Sequence, residues 1–264
     1  MSPGLRAEAD AVRRLVLEQA LASGSCHIGS SLSLVDILTV LYFRTLRAGE
    51  GDRFLLSKGH AAAALYAVLA RTGTLDERAV VAGYCRDGGS LTGHPERHVP
   101  GVEVTAGSLG HGVAVALGYA LADRGDGRDR RTYCLVGDGE LNEGSIWEAV
   151  ALAGHLAPPG LCLIVDANGF QGLGPVADVL SLEPLAGKFR AFGWAVDEVD
   201  GHDHAALERR LGGPRLRPTA IVARTVKGYG VPALEGQFLS HYRSFRPHER
   251  DLLFAGLDGE LRAA

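Results

Sequence analysis

From residue 132 to residue 223 the chain alternates short β-branched runs with helical ones. Residues 132–136, 161–166, 194–199 and 219–223 read as strands, and 143–156, 183–192 and 205–211 as the helices between them. Strands this short and apolar, joined by helices rather than tight turns, point to a mostly parallel sheet flanked by helices on both faces, an α/β fold. Upstream, 53–57 adds a strand. Residues 5–23, 32–46, 60–71, 77–85 and 110–124 carry helical spacing. The 32–46 segment is apolar nearly all round, so it belongs in a core or at an interface. Residues 90–110 lack periodicity and form a loop of functional length. The 264 residues suit one domain, 1–264, whose pattern fades into a tail at 229–264.

Composition narrows the partners. A net charge of −4 offers no basic field for nucleic acid. No apolar stretch approaches the roughly 18–20 residues of a membrane span. The first ten residues carry acids and lack the apolar centre of a signal peptide, so a cytoplasmic setting is expected. The four cysteines lie far apart, form no CxxC pair and read as free thiols. The 36 glycines are about twice the usual roughly 7% share. They cluster at 24–29, 88–112, 137–144 and 169–174, as backbone held against a ligand would.

Asp138 stands between Gly137 and Gly139 at the carboxyl end of the 132–136 strand, where parallel sheets gather ligands. Asn168 follows thirty residues later, just after the next strand. Both are hard oxygen donors suited to Mg²⁺ or Ca²⁺, together with a main-chain carbonyl and phosphate oxygens. A diphosphate beside a carboxylate needs a divalent ion between them. The two glycines are expected to turn the chain sharply and admit the anion. The helix near Glu143 would aim its N-terminus at the same crevice. Three histidines in glycine-flanked loops, His27, His60 and His94, suit proton transfer to sugar hydroxyls near neutral pH. His98, His111, His155, His202, His204 and His248 read as surface residues, although His111 falls inside the 107–112 loop. Asp203 is a helix cap. The cysteines read as small core residues.

Gly-Asp-Gly followed by Asn resembles the thiamine-diphosphate motif, and further segments narrow the resemblance to the transketolase family. They are SGSCHIGSSLS from Ser23, DRFLLSKGHAAAALYAVL from Asp52, TGHPE from Thr92 and PGVEVTAGSLGHGVAVALGYALA from Pro100. The resemblance implies the thiamine-diphosphate-binding fold and transfer of a two-carbon ketol unit from a ketose to an aldose, both sugars or sugar phosphates. Asp138, Asn168 and the Phe170 carbonyl would hold Mg²⁺ (or Ca²⁺ or Mn²⁺). Gly137 and Gly139 would lie against the diphosphate. Gly107, Leu109 and Gly110 would pass the cofactor. His27, His60, His94 and His241 would surround the reacting carbon, and Glu143 would meet a neighbouring subunit. The pyrimidine-binding domain and its catalytic glutamate would come from a second polypeptide, a C-terminal subunit, in a split enzyme assembled as a heterotetramer. The readings left standing beside it are another thiamine-diphosphate enzyme, of 2-oxo acid dehydrogenase α or deoxyxylulose-phosphate synthase type, or a non-catalytic assembly subunit. The chain departs from the family pattern at Cys26, Ile28, His111 and Gln171–Gly174, which leaves room for a non-standard donor or acceptor.

Overall fold

A computed structural model describes residues 3–261. Strands β1 (Arg53–Leu56), β2 (Thr132–Gly137), β3 (Leu161–Ala167), β6 (Ala195–Asp200) and β7 (Thr219–Arg224) form one sheet in the order β1-β2-β3-β7-β6. All its pairings are parallel. Two short strands missed from the sequence, β4 (Phe170–Gln171) and β5 (Gly174–Pro175), make an antiparallel hairpin beyond the end of β3.

Because side chains alternate across a strand, each strand feeds two cores. Phe54, Leu56, Tyr133, Leu135, Ile164 and Ile221 face one core. Helices α1 (Pro3–Ser23), α2 (Ile28–Leu32), α3 (Val35–Val40), α4 (Ala62–Arg71) and α5 (Glu77–Gly83) contribute to it. Leu55, Cys134, Val136, Leu163, Val165 and Val222 face the other. That face is covered by α6 (Gly112–Gly125), α7 (Gly144–Leu156) and α9 (Leu185–Ala191). Helix α8 (Val176–Leu180) follows the hairpin, and α10 (His204–Gly212) and α11 (Arg250–Leu261) return to the first face. Within the tail, Leu253 and Phe254 are buried in that first core.

The expected 32–46 helix is divided. Helix α2 ends at Leu32, and α3 gives way to a wider π turn at Leu41–Thr45. At the break Ser33 reaches the sheet, its hydroxyl donating to Asp166 at 2.6 Å. Val35, Ile37, Leu38, Val40 and Leu41 are fully buried within this chain, so its own core accounts for the segment's apolar character. No helix among the described residues is long and apolar enough to cross a membrane.

Candidate active site

The carboxyl ends of β1, β2, β3 and β7 deliver Lys58, Asp138, Asn168 and Lys227 to one edge of the sheet. A cavity of about 320 Å³ opens there. It is lined by His27, His60, His94 and His241, by Gly107 and Leu109, by Gly137, Asp138 and Gly139, and by Asn168, Phe170 and Glu143. Residues drawn from seven separate parts of the chain therefore meet in one place. Gly110 stands just behind the lining. It takes a left-handed φ of 85°, which lets its N–H donate to Glu140 at 3.0 Å.

Asp138 is buried, and its two oxygens accept the N–H groups of Gly139 at 2.9 Å and Gly169 at 2.6 Å. Burial, with the charge of Asp166 beside it, pushes its carboxyl up to about 6. A buried carboxylate whose ionisation is opposed by its surroundings is one that a cation would relieve. Asn168 Nδ2 donates to Asp166 and Asn168 Oδ1 accepts the Phe170 N–H, both at 3.1 Å. Among the described residues no three His, Cys, Asp or Glu side chains gather in a metal-holding group. The oxygen set here is instead one carboxylate, one amide and one candidate main-chain carbonyl, a donor set suited to a hard divalent ion that also keeps phosphate oxygens. The residues present fit a metal–diphosphate.

The glycines act differently from expectation. Neither Gly137 nor Gly139 has a positive φ. Gly137 is simply the last residue of β2, and a Cβ there would meet only the Lys58 side chain at 3.8 Å. A Cβ on Gly139 would fall 2.4 Å from that of Gln171. Gly139 is thus needed for close packing, and Gly137 keeps the cavity wall open. The helix starts within one residue of the expected place, with α7 beginning at Gly144, and a 3-10 turn, Gly139–Asn142, fills the stretch before it. Glu143 precedes α7 without capping it through its side chain, and it is exposed at the cavity.

Three of the four histidines form a triangle, with ring centroids 5.4 Å apart for His27–His60, 4.9 Å for His27–His241 and 5.4 Å for His60–His241. Burial lowers all three. His27 is lowered further by His94 and Lys227, and His60 by Lys58. His241 falls to about 3 through burial, Lys227, His27 and Lys58. Near neutral pH these rings are uncharged, each able to donate at one nitrogen and accept at the other. His94 lines the cavity from the exposed 90–110 loop, outside the triangle. The tail is joined to the site by backbone as well as by His241, since the His27 N–H donates to the His241 carbonyl at 2.9 Å.

Sequence reasoning missed the groups that hold these residues. Asp166, fully buried, accepts from Lys58 Nζ at 2.5 Å, from Ser33, from Asn168 and from Thr225. Burial opposes its ionisation, but Lys58 and these donors hold its carboxyl below the usual range. Glu140, also buried, accepts from Ser57 at 2.5 Å, Gly110 at 3.0 Å and Gly137 at 3.2 Å, tying three loops together. Lys227 is buried against Ser30 Oγ at 2.9 Å and His241 Nδ1 at 3.3 Å. Burial and the charge of Lys58 push it down to about 8. A charged residue within an apolar run, as Asp166 is, was the available signal. Two surface assignments also fail. His204 is buried, and both His202 and His204 bind Asp36. The Asp203 cap is present, accepting from Ala205 and Ala206. Of the cysteines, Cys134 and Cys162 are core residues, whereas Cys26 is half-buried and Cys85 exposed.

Comparison with known proteins agrees with this geometry. Residues 5–252 match the family model "Transketolase, thiamine diphosphate binding domain". The chain is 38% identical to an apulose-4-phosphate transketolase subunit of Actinobacillus succinogenes, covering 97% of this chain and 96% of that one. It is 38% identical to a 6-deoxy-6-sulfo-D-fructose transketolase subunit of a Clostridium species, over 90% of this chain and 89% of that one. The Campylobacter jejuni transketolase crystal structure superposes with a TM-score of 0.89 at 30% identity, over 98% of this chain but 43% of that one. The chain therefore belongs to the transketolase family and carries its thiamine-diphosphate-binding domain.

Proposed function

We propose that this chain is the cofactor-binding subunit of a two-component transketolase. In that role it takes part in moving a two-carbon ketol unit from a ketose to an aldose. The observation that carries the reading is the meeting of Asp138, Asn168, Phe170, Gly137, Leu109 and four histidines on one cavity. Relatives named as transketolase subunits that match over nearly their whole length support the two-component form. The second subunit would bring the pyrimidine-binding domain and the catalytic glutamate, in a heterotetramer with Glu143 at the contact. Four unpaired cysteines support a reducing, cytoplasmic setting.

Asp138, Asn168 and the Phe170 carbonyl would hold a divalent ion, Mg²⁺ by preference, and Gly137 would lie against the diphosphate. Bound thiamine diphosphate supplies a nucleophilic carbon for the bond-breaking and bond-making at the sugar carbonyl. The chain's own residues orient and move protons. His241 Nδ1 accepts from Lys227, so the neutral ring carries its proton on Nε2. His27, His60 and His241 can then hydrogen-bond sugar hydroxyls and pass protons among them. Neutral imidazoles add no repulsion against a cationic thiazolium ring. Two sugars named for the relatives, apulose 4-phosphate and 6-deoxy-6-sulfofructose, define the substrate class to try first: ketoses bearing a terminal anion. Among the described residues no arginine lines the cavity, so the grip on that anion falls to the second subunit.

Calorimetric titration of thiamine diphosphate tests the reading. Binding should require Mg²⁺ and weaken by at least roughly 100-fold in Asp138→Ala, since losing even a group one layer behind a metal ligand costs up to about that much. Unchanged affinity in that variant would falsify the proposal.

A further inference from the structure

A second buried polar cluster lies on the α1–α3 side of the sheet, apart from the cavity. Asp36 of α3 is 2% exposed. It accepts from Arg13 of α1, from His202 Nδ1 at 2.8 Å and from His204 Nε2 at 2.7 Å. The other nitrogen of His202 faces backbone: the Val226 N–H points at Nε2 across 2.9 Å. A backbone N–H can only donate, so Nε2 carries no proton and Nδ1 donates to Asp36. The His202 ring is also stacked on Tyr229, with centroids 3.5 Å apart and planes 14° from parallel. Its tautomer and its orientation are both determined.

Val226 immediately precedes Lys227. The segment crosses the sheet edge held at three points: Thr225 on Asp166 and the Ala167 carbonyl, Val226 on His202, and Gly228 on the Gly29 carbonyl. Lys227 itself is 1% exposed. Among the described residues its ammonium meets Ser30 Oγ and His241 Nδ1 and no carboxylate at hydrogen-bond distance. Ser30 and His241 both line the cavity. A buried cation with only neutral acceptors depends on being placed accurately, because a small displacement leaves it unsatisfied.

We propose that His202, oriented by Asp36, is a positioning residue for the cavity: it holds Val226 and thereby sets Lys227 against Ser30 and His241. This rests on the cavity being the thiamine-diphosphate site. The simpler role, a staple joining α1, α3 and α10, uses only the Asp36 side of the ring. The positioning role uses the Val226 side, and two substitutions separate them. In His202→Asn the amide can donate to Asp36 but is too short to reach Val226. In His202→Gln the carbonyl can accept from Val226.

The chain has three lysines, Lys58, Lys188 and Lys227, so lysine labelled with ¹³C at Cε yields three signals in the free chain. His202→Asn should displace the Lys227 signal, leave Lys188 in place and weaken thiamine-diphosphate binding with Mg²⁺ about tenfold, the lower scale for outer-layer groups. His202→Gln should keep the wild-type signal and affinity. A Lys227 signal and an affinity unchanged in His202→Asn overturn the proposal. Equal loss in both variants, in step with their Tm, overturns it too. If His202→Asn does not fold, His202→Gln decides alone: a folded variant with a displaced Lys227 signal overturns the proposal and a retained one supports it. Failure of the wild-type chain to bind the cofactor would sink the functional reading, while the lysine signals would still decide this one.

Discussion

Asn168 donates its side-chain amide to Asp166, Nδ2 to Oδ2 at 3.1 Å. A carboxylate can only accept, so the NH₂ group must face Asp166, and Oδ1 turns toward the Phe170 N–H and the cavity. The candidate metal ligand is thus aimed by a residue that never reaches the cavity. Removing that acceptor has a second cost, because Lys58 is buried on the same oxygen.

Asp166→Leu should therefore destabilise the free chain by about 3–5 kcal/mol, the usual penalty for leaving one member of a buried ion pair alone. Urea denaturation measures it. Lys58→Met in the Asp166→Leu background should recover part of the loss, and a double variant no more stable than the single one would count against the pairing.

Gly137 and Gly139 should respond in opposite ways to alanine. A Cβ on Gly139 collides with Gln171, so Gly139→Ala should cost roughly 1–3 kcal/mol of stability, as overpacking does. A Cβ on Gly137 has room. Gly137→Ala should melt near the wild-type temperature yet bind thiamine diphosphate poorly, because the methyl group would enter the cavity where the proposed diphosphate lies. Normal affinity in Gly137→Ala would move the diphosphate elsewhere in the cavity.

Glu140→Gln should loosen the Gly110 loop. Glu140 accepts from Gly137 and Gly110 on separate oxygens. An amide nitrogen in place of either oxygen leaves an N–H facing another donor, at a cost of about 1–3 kcal/mol. Hydrogen exchange at residues 107–112 should accelerate in the variant; unchanged protection there would show that the loop is held by something else.

Stability should fall as pH is lowered from neutrality, in part through His241. Its folded pKa of about 3 lies below the ordinary histidine value, which is roughly 6.5. Below that value the unfolded chain takes up a proton that the folded chain refuses. The contribution is therefore complete above it and is lost as pH falls toward the folded value. Asp138 acts in the opposite sense, since its carboxyl is raised to about 6. The measurement is accordingly a difference: wild type against His241→Gln, by urea midpoint at pH 7 and pH 5. The wild type should lose more stability over that interval, and parallel slopes would refute the assignment.

Much of the site was readable because its signals are local. Gly137-Asp138-Gly139 and Asn168 stand directly after strands, and strand ends are where a parallel sheet places its ligands. Asp166 and Glu140 escaped because their roles lie in partners far along the chain: Lys58 is 108 residues from Asp166, and Ser57 is 83 from Glu140. His202 escaped for the same reason, since Asp36 lies 166 residues away. The Leu32–Leu46 break escaped because a hydrogen bond to the sheet interrupted a segment whose own spacing favours one helix.

By itself the sequence determined the parallel sheet, its two helical layers and which strand-end residues to expect against a diphosphate. Those follow from periodicity along the chain and from the few side chains able to meet an anion through a metal. Only the tertiary structure decided which glycine makes room and which merely packs, which way Asn168 faces, and that His27, His60 and His241 are held uncharged. These depend on burial and on neighbours brought together across the sheet edge, and neither is a property of any local stretch of chain.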